Sequence, residues 1–105
     1  MAETNLTDIS ALEFKRRNSS DLPFYLLDVR EVIEFQTFNL GGKNIPLGSL
    51  LENIGLLAGL EDTELVVICQ HGLRSETARQ ILLKQGFKNV RNLAGGILAL
   101  RRLDY

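Results

Sequence analysis

Apolar and polar residues along the chain alternate between two patterns. Asp8 to Arg17 carries Ile9, Leu12 and Phe14 among polar residues and predicts a short helix. Asn18, Ser19, Ser20 and Asp21 predict a polar turn. Residues 23–29, PFYLLDV, form an almost continuous apolar run, the pattern of a strand buried on both faces. Glu31 to Phe38 predicts a second short helix, broken by Leu40, Gly41 and Gly42. Lys43 to Leu47 then reads as a short extended piece. Ser49 to Leu57 is helical in pattern, with Ser49 as N-cap and Glu52 at capping-box spacing.

The second half is more sharply patterned. Residues 64–69, ELVVIC, are β-branched and apolar and predict a central strand. Gln70 to Arg74 predicts a loop. Ser75 to Gln85 predicts a helix with Ser75 as N-cap and Gly86 as its stop. Phe87 to Leu93 predicts another strand, and Gly95-Gly96 opens a last helix from Ile97 to Arg102. Strands alternating with helices imply an α/β domain with a parallel sheet and right-handed crossovers. Ligands of such sheets gather at the carboxyl ends of the strands, where Cys69 closes the most apolar one.

Composition narrows the function classes. A length of 105 residues suits one domain, here residues 1–105, and 45% hydrophobic with 24% charged residues is ordinary for a globular chain. The net charge of −1 gives no reason to expect a nucleic-acid or membrane-surface partner. No apolar run reaches the roughly 20 residues that span a bilayer. The first ten residues, MAETNLTDIS, lack the basic and apolar regions of a secretory signal. One cysteine forms no internal disulfide and fits a reducing compartment, so a cytoplasmic location is expected. With only one histidine beside it, no closed structural zinc site is expected either.

The chemistry gathers in VVICQHGLRSETA, residues 66–78. A strand, a cysteine, a glycine-containing loop, an arginine and a helix start point backbone N–H groups toward one place and make an anion cradle. A cysteine at its rim is stabilised as the nucleophilic thiolate. Gly72 permits a left-handed backbone or a close approach, and Arg74 adds a fixed charge with a planar fork of donors. The plainer alternatives stay open. A lone cysteine ending an apolar strand is often a small buried hydrophobe. His71 is a base near neutral pH or simply an exposed loop residue. Arg74 contacts substrate, braces the loop against a carboxylate, or does both.

These residues resemble the rhodanese homology family along nearly the whole chain. LLDVRE, residues 26–31, is similar to that family's first signature, and Asn44-Ile45-Pro46 to its second. CQHGLRSETA, residues 69–78, resembles the active-site loop and its helix. GFKNVRNLAGGILAL, residues 86–100, resembles the closing motif. The resemblance implies a three-layer fold with a central parallel sheet of about five strands flanked by helices. It also implies a sulfurtransferase of the thiosulfate type, in which the cysteine takes sulfane sulfur from a donor as a persulfide and passes it to a thiophilic acceptor. Cys69 then matches the persulfide carrier and Arg74 the loop-closing arginine. Gln70, His71, Gly72, Leu73 and Ser75 match the loop that holds the substrate. Asp28 and Arg30 match the first signature, where a strand-end acid and its partner position the loop from the side. No metal or organic cofactor is implied. The partners implied are a small-molecule sulfur donor and acceptor or a sulfur-accepting protein.

Two departures stand out. Phe38 to Gly42 replaces the family's Gly-His-Ile segment and is one residue shorter, which resembles domains fused to adenylating enzymes of molybdopterin and thiamine biosynthesis. Leu100 stands where the family has an aromatic. A sulfur-relay or binding module docking to a protein therefore remains an alternative, as does a phosphatase on a related fold. Cys–Arg phosphatase loops, however, carry one residue more than the four between Cys69 and Arg74. Glu76, the nearest acid, is already accounted for by its place in a first helical turn.

Overall fold

A computed structural model describes residues 7–18 and 24–103. The elements run β1 (Asp8–Ile9), α1 (Ala11–Asn18), β2 (Tyr25–Asp28), α2 (Val32–Thr37), β3 (Lys43–Asn44), two 3₁₀ segments (Leu47–Ser49 and Leu51–Leu57), β4 (Leu65–Ile68), α3 (Leu73–Lys84), β5 (Val90–Leu93) and α4 (Gly96–Arg102). The strands form one five-stranded parallel sheet in the order β1-β5-β4-β2-β3. β4 lies at its centre, paired to β2 from Tyr25↔Leu65 to Asp28↔Ile68 and to β5 from Leu65↔Val90 to Val67↔Asn92.

Alternation along the strands divides the apolar residues between two cores. Leu65, Val67 and Cys69 join Leu27 and Val29 on one face and pack under Ala78 and Leu82 of α3 and Leu50 and Leu57 of the 3₁₀ region. Val66 and Ile68 join Ile9 and Leu93 on the other face and pack under Phe14 of α1 and Ile97 of α4. All four residues of β4 are fully buried, which explains why that stretch reads as one unbroken apolar run. The fold is thus α/β with helices on both sides of a parallel sheet.

Several boundaries differ from the sequence expectation, among them Asn18, which ends α1 instead of opening a turn, and β3, which ends at Asn44. Asp8 and Ile9 are not helical; they add an edge strand beside β5, with Asp8↔Asn92 and Ile9↔Leu93 in register. The helix starts after Ser10, whose hydroxyl accepts the Glu13 N–H at 3.0 Å and so caps it. Ser49 does not cap a helix. Its hydroxyl turns back to the Pro46 carbonyl, and the non-helical Asn53, which donates to the Ser49 carbonyl at 2.8 Å, leaves only 3₁₀ turns there. The last strand starts at Val90 because Phe87 still closes α3, donating its N–H to Leu82 at 3.1 Å. Finally, α3 starts at Leu73 and its N-cap is Gly72, which places Ser75 inside the first turn. The turn at Ser19, Ser20 and Asp21 and the Pro23 start of the second strand lie outside the described residues.

Candidate active site

Cys69 follows β4 directly and turns the chain from the sheet's carboxyl edge into α3. Gly72 is what lets the turn close. Its φ of 93° is left-handed, and a side-chain carbon there would lie 3.1 Å from the Gly95 amide nitrogen. The turn wraps around the sulfur. Sγ accepts the Gly72 N–H at 3.1 Å and the Ser75 N–H at 3.3 Å, and the Ser75 hydroxyl lies 3.2 Å away. The thiol is held below its ordinary range. Burial pushes it up, but the Ser75 hydroxyl and the amides of Ser75, Gly72 and His71 together outweigh that.

The α4 side grips the same turn. The N–H groups of Ile97 and Leu98 donate to the carbonyls of Cys69 and Gln70 at 2.9 and 3.1 Å. Gly96 is in the left-handed region at φ 68°, and any side-chain carbon on it would collide with the Gln70 and Cys69 backbone. The Gly95-Gly96 pair therefore does more than open a helix: it lets α4 lie directly on the cysteine loop.

Arg74 faces sideways. Its guanidinium makes a two-pronged pair with Glu34 of α2, at 2.6 and 3.0 Å. Arg74 is the main reason the Glu34 carboxyl is lowered to about 2. This is the bracing geometry. The charge of Arg74 also attracts the Cys69 thiolate, so bracing and electrostatic support coexist. Glu34 in turn accepts the Glu31 N–H at 3.0 Å, which fixes the start of α2.

Asp28 and Arg30 form a buried ion pair at 2.8 Å. Arg30 also donates to the Phe38 carbonyl at 2.7 Å, which ties the end of β2 to the end of α2. The Sγ contacts described above come from Gly72 and Ser75, not from this pair. Gln70 borders an open groove of about 300 Å³, shared with Arg30, Ile33, Glu34, Thr37 and Phe38. His71 and Leu73 are exposed, Leu73 at 78%.

Glu34, Asn92 and Gly96 are the site residues that sequence reasoning missed. Asn92 accepts a hydrogen bond from the Ser75 hydroxyl and donates to the Gly72 carbonyl at 3.0 Å. Its signal was an uncharged polar residue inside a strand that is buried throughout. Glu34 had no comparable signal, since 40 residues separate it from Arg74. Among the described residues, no group of three or more His, Cys, Asp or Glu side chains is placed to hold a metal, and no helix is long and apolar enough to cross a membrane.

Comparisons with known proteins bear on the family and the fold. The family model described as Rhodanese-like domain matches residues 10–102. The Bacillus subtilis protein YrkF, named as a sulfur carrier, is 37% identical over 90% of this chain and 50% of its own length. The Zea mays adenylyltransferase and sulfurtransferase MOCS3-2 is 37% identical over 87% of this chain and 20% of its own. The chain thus spans half or less of these two relatives. The human single-domain sulfurtransferase TSTD1 superposes with a TM-score of 0.81 at 25% identity, covering 93% of this chain and 97% of its own.

Proposed function

Because the chain belongs to the rhodanese-like domain family, we propose that it is a sulfurtransferase whose Cys69 carries sulfane sulfur as a persulfide. The observation that carries this reading is the convergence of the Gly72 and Ser75 amide N–H groups on the one Sγ atom, with the Ser75 hydroxyl 3.2 Å from it. Donors arranged this way stabilise negative charge on that sulfur. The reaction runs in two displacements. The Cys69 thiolate attacks the outer sulfur of thiosulfate; the new S–S bond forms as the old one breaks, and sulfite leaves with its electron pair. A thiophilic acceptor such as cyanide then attacks the outer sulfur of the persulfide, and the Cys69 thiolate is the leaving group. Arg74 supplies a fixed positive charge and holds the loop against α2. Gln70 to Leu73 and Ser75 form the wall around the transferred atom, and Asp28 and Arg30 hold that wall from the side. A free catalytic thiol of this kind belongs in a reducing compartment, which favours the cytoplasm.

The test is intact mass after incubation with thiosulfate. One added sulfur on the wild type and none on Cys69→Ser supports the reading; an unchanged wild-type mass opposes it. A second reading, relay of sulfur to a protein, is favoured by the apolar exposure of Val32, Ile33 and Leu73 on the two elements that Arg74 and Glu34 join. The sulfur-carrier and adenylyltransferase names of the relatives support it.

A further inference from the structure

The bonds behind Cys69 run in one direction. The Asn92 side-chain nitrogen donates to the Gly72 carbonyl at 3.0 Å, so its oxygen is the atom that faces Ser75. That oxygen can only accept. The Ser75 hydroxyl therefore gives its proton to Asn92 and presents lone pairs to Sγ, 3.2 Å away. The resting order is S–H to Ser75 Oγ, then O–H to Asn92 Oδ1. Cys69, Ser75 and Asn92 are 1%, 0% and 6% exposed, so water does not stand in for any of these partners.

We propose that Asn92 is a positioning residue that, by competing for the Ser75 hydroxyl, limits the support this hydroxyl gives to the Cys69 thiolate. When the proton leaves sulfur for solvent, the thiolate faces the serine lone pairs. The hydroxyl relieves this by swinging toward Sγ, which strips the buried Asn92 oxygen of its donor. Thiolate formation thus gives up both bonds of the resting order at Ser75 and makes one new bond to the sulfur. The amides of Gly72, Ser75 and His71 pull the other way without competition.

The charged and titratable groups on the surrounding elements are Arg74, Glu76, Arg79 and Lys84 on α3, His71 in the loop, Asp28 and Arg30 at the end of β2, Glu31 at the start of α2 and Glu34 on it, Arg91 on β5, and Arg101 and Arg102 on α4. Among the described residues, no side chain of these donates to Sγ. Ser75 and Asn92 are the neutral pair through which the sulfur's proton equilibrium is set.

The consequence for turnover rests on the persulfide reading; the proton equilibrium itself does not, and it is measured directly. Cys69 is the chain's one cysteine, so ultraviolet thiolate absorbance against pH reports it alone. Four proteins are titrated: wild type, Asn92→Leu, Ser75→Ala and the double variant, each checked for folding by circular dichroism. Asn92→Leu should lower the thiol pKa by about one unit, the size of one net hydrogen bond. The same change should do nothing in the Ser75→Ala background, where no hydroxyl is left to release. Asn92→Val, which suits a strand, is read the same way if the leucine variant does not fold. An unchanged or raised pKa in the serine background, or an equal drop in both backgrounds, overturns the proposal. Failure of the thiosulfate mass test would overturn the sulfur-transfer reading and leave this titration standing.

Discussion

At Cys69 the sulfur is held by donors, with the nearest cation turned toward another helix. Cys69→Ser keeps the size of the side chain and removes the only atom able to form a persulfide. Turnover from thiosulfate to cyanide should fall to background while stability shifts by less than about 1 kcal/mol, read by thermal melting beside the assay. Arg74→Ala should reduce turnover more than His71→Ala, because Arg74 both braces the loop and attracts the thiolate, whereas His71 contributes through its backbone amide, which the substitution keeps. Glu34→Gln should fall between them. It weakens a half-exposed pair worth about 0.2–1 kcal/mol, up to roughly fivefold in rate, and leaves the arginine charge in place. Rates of the three variants under one condition decide the order, and a larger loss at His71 would reverse the assignment. The pH profile has a definite sign. The thiol is held below its ordinary range, so the first displacement should gain rate with rising pH and level off earlier than it would for a free cysteine. The Glu34 carboxyl, depressed to about 2, keeps its pair with Arg74 above its unfolded-state range; that support is lost only as pH falls through about 2. Neutral-pH changes in rate therefore report the cysteine and not the brace.

Among the elements, the start of α4 sets the position of the cysteine loop as firmly as α3 does. Gly96→Ala combines a left-handed backbone, about 1–2 kcal/mol, with overpacking against the rigid Cys69–Gln70 backbone, about 1–3 kcal/mol. A loss of roughly 2–5 kcal/mol in denaturant unfolding is expected, with transfer impaired in whatever fraction stays folded; an alanine variant as stable and active as wild type would show that α4 does not hold the loop. This contact is also where legibility in the sequence ran out. The ELVVIC strand, the glycine turn and the helix after it announce themselves by local pattern, because β4 is buried on both faces and Gly72 is needed for a positive φ. Local pattern also explains the error at Ser75. Serine before an apolar helix face reads as an N-cap, but the left-handed Gly72 takes that place and frees Ser75 to reach the sulfur. β1 is two residues long, too short to show any period, and takes its structure from β5 alone. The Gly95-Gly96 pair was visible as a helix opening, while the reason for its second glycine lies 26 residues back in the carbonyl of Gln70.

In the whole molecule, the two cores lock one sheet between helices, so the carboxyl edge offers a pre-formed site whose size and donor set decide the chemistry. A phosphoryl group brings three equatorial oxygens and needs donors for each, together with an acid for the leaving oxygen. Here the Gly72 and Ser75 amides are already directed at a single sulfur, and the arginine that closes the loop is engaged with Glu34. Glu76, the nearest acid to the loop along the chain, pairs with Arg79 at 2.9 Å and accepts from Gln80 as well, so it is held ionised below its ordinary range and has no proton to lend. Sulfur transfer needs neither wider cradle nor acid, since sulfite leaves as a stable anion. The expected outcome of parallel assays is Cys69-dependent consumption of thiosulfate with no phosphate released from an aryl phosphate. Steady phosphate release that vanishes in Cys69→Ser, without sulfur transfer, would move the protein to the phosphatase class. A loop enlarged by one residue between Gly72 and Arg74 should weaken sulfur transfer, because the Ser75 amide would no longer meet the sulfur at 3.3 Å, and the persulfide, the less protected species, should then be lost to solvent thiols faster than in the wild type.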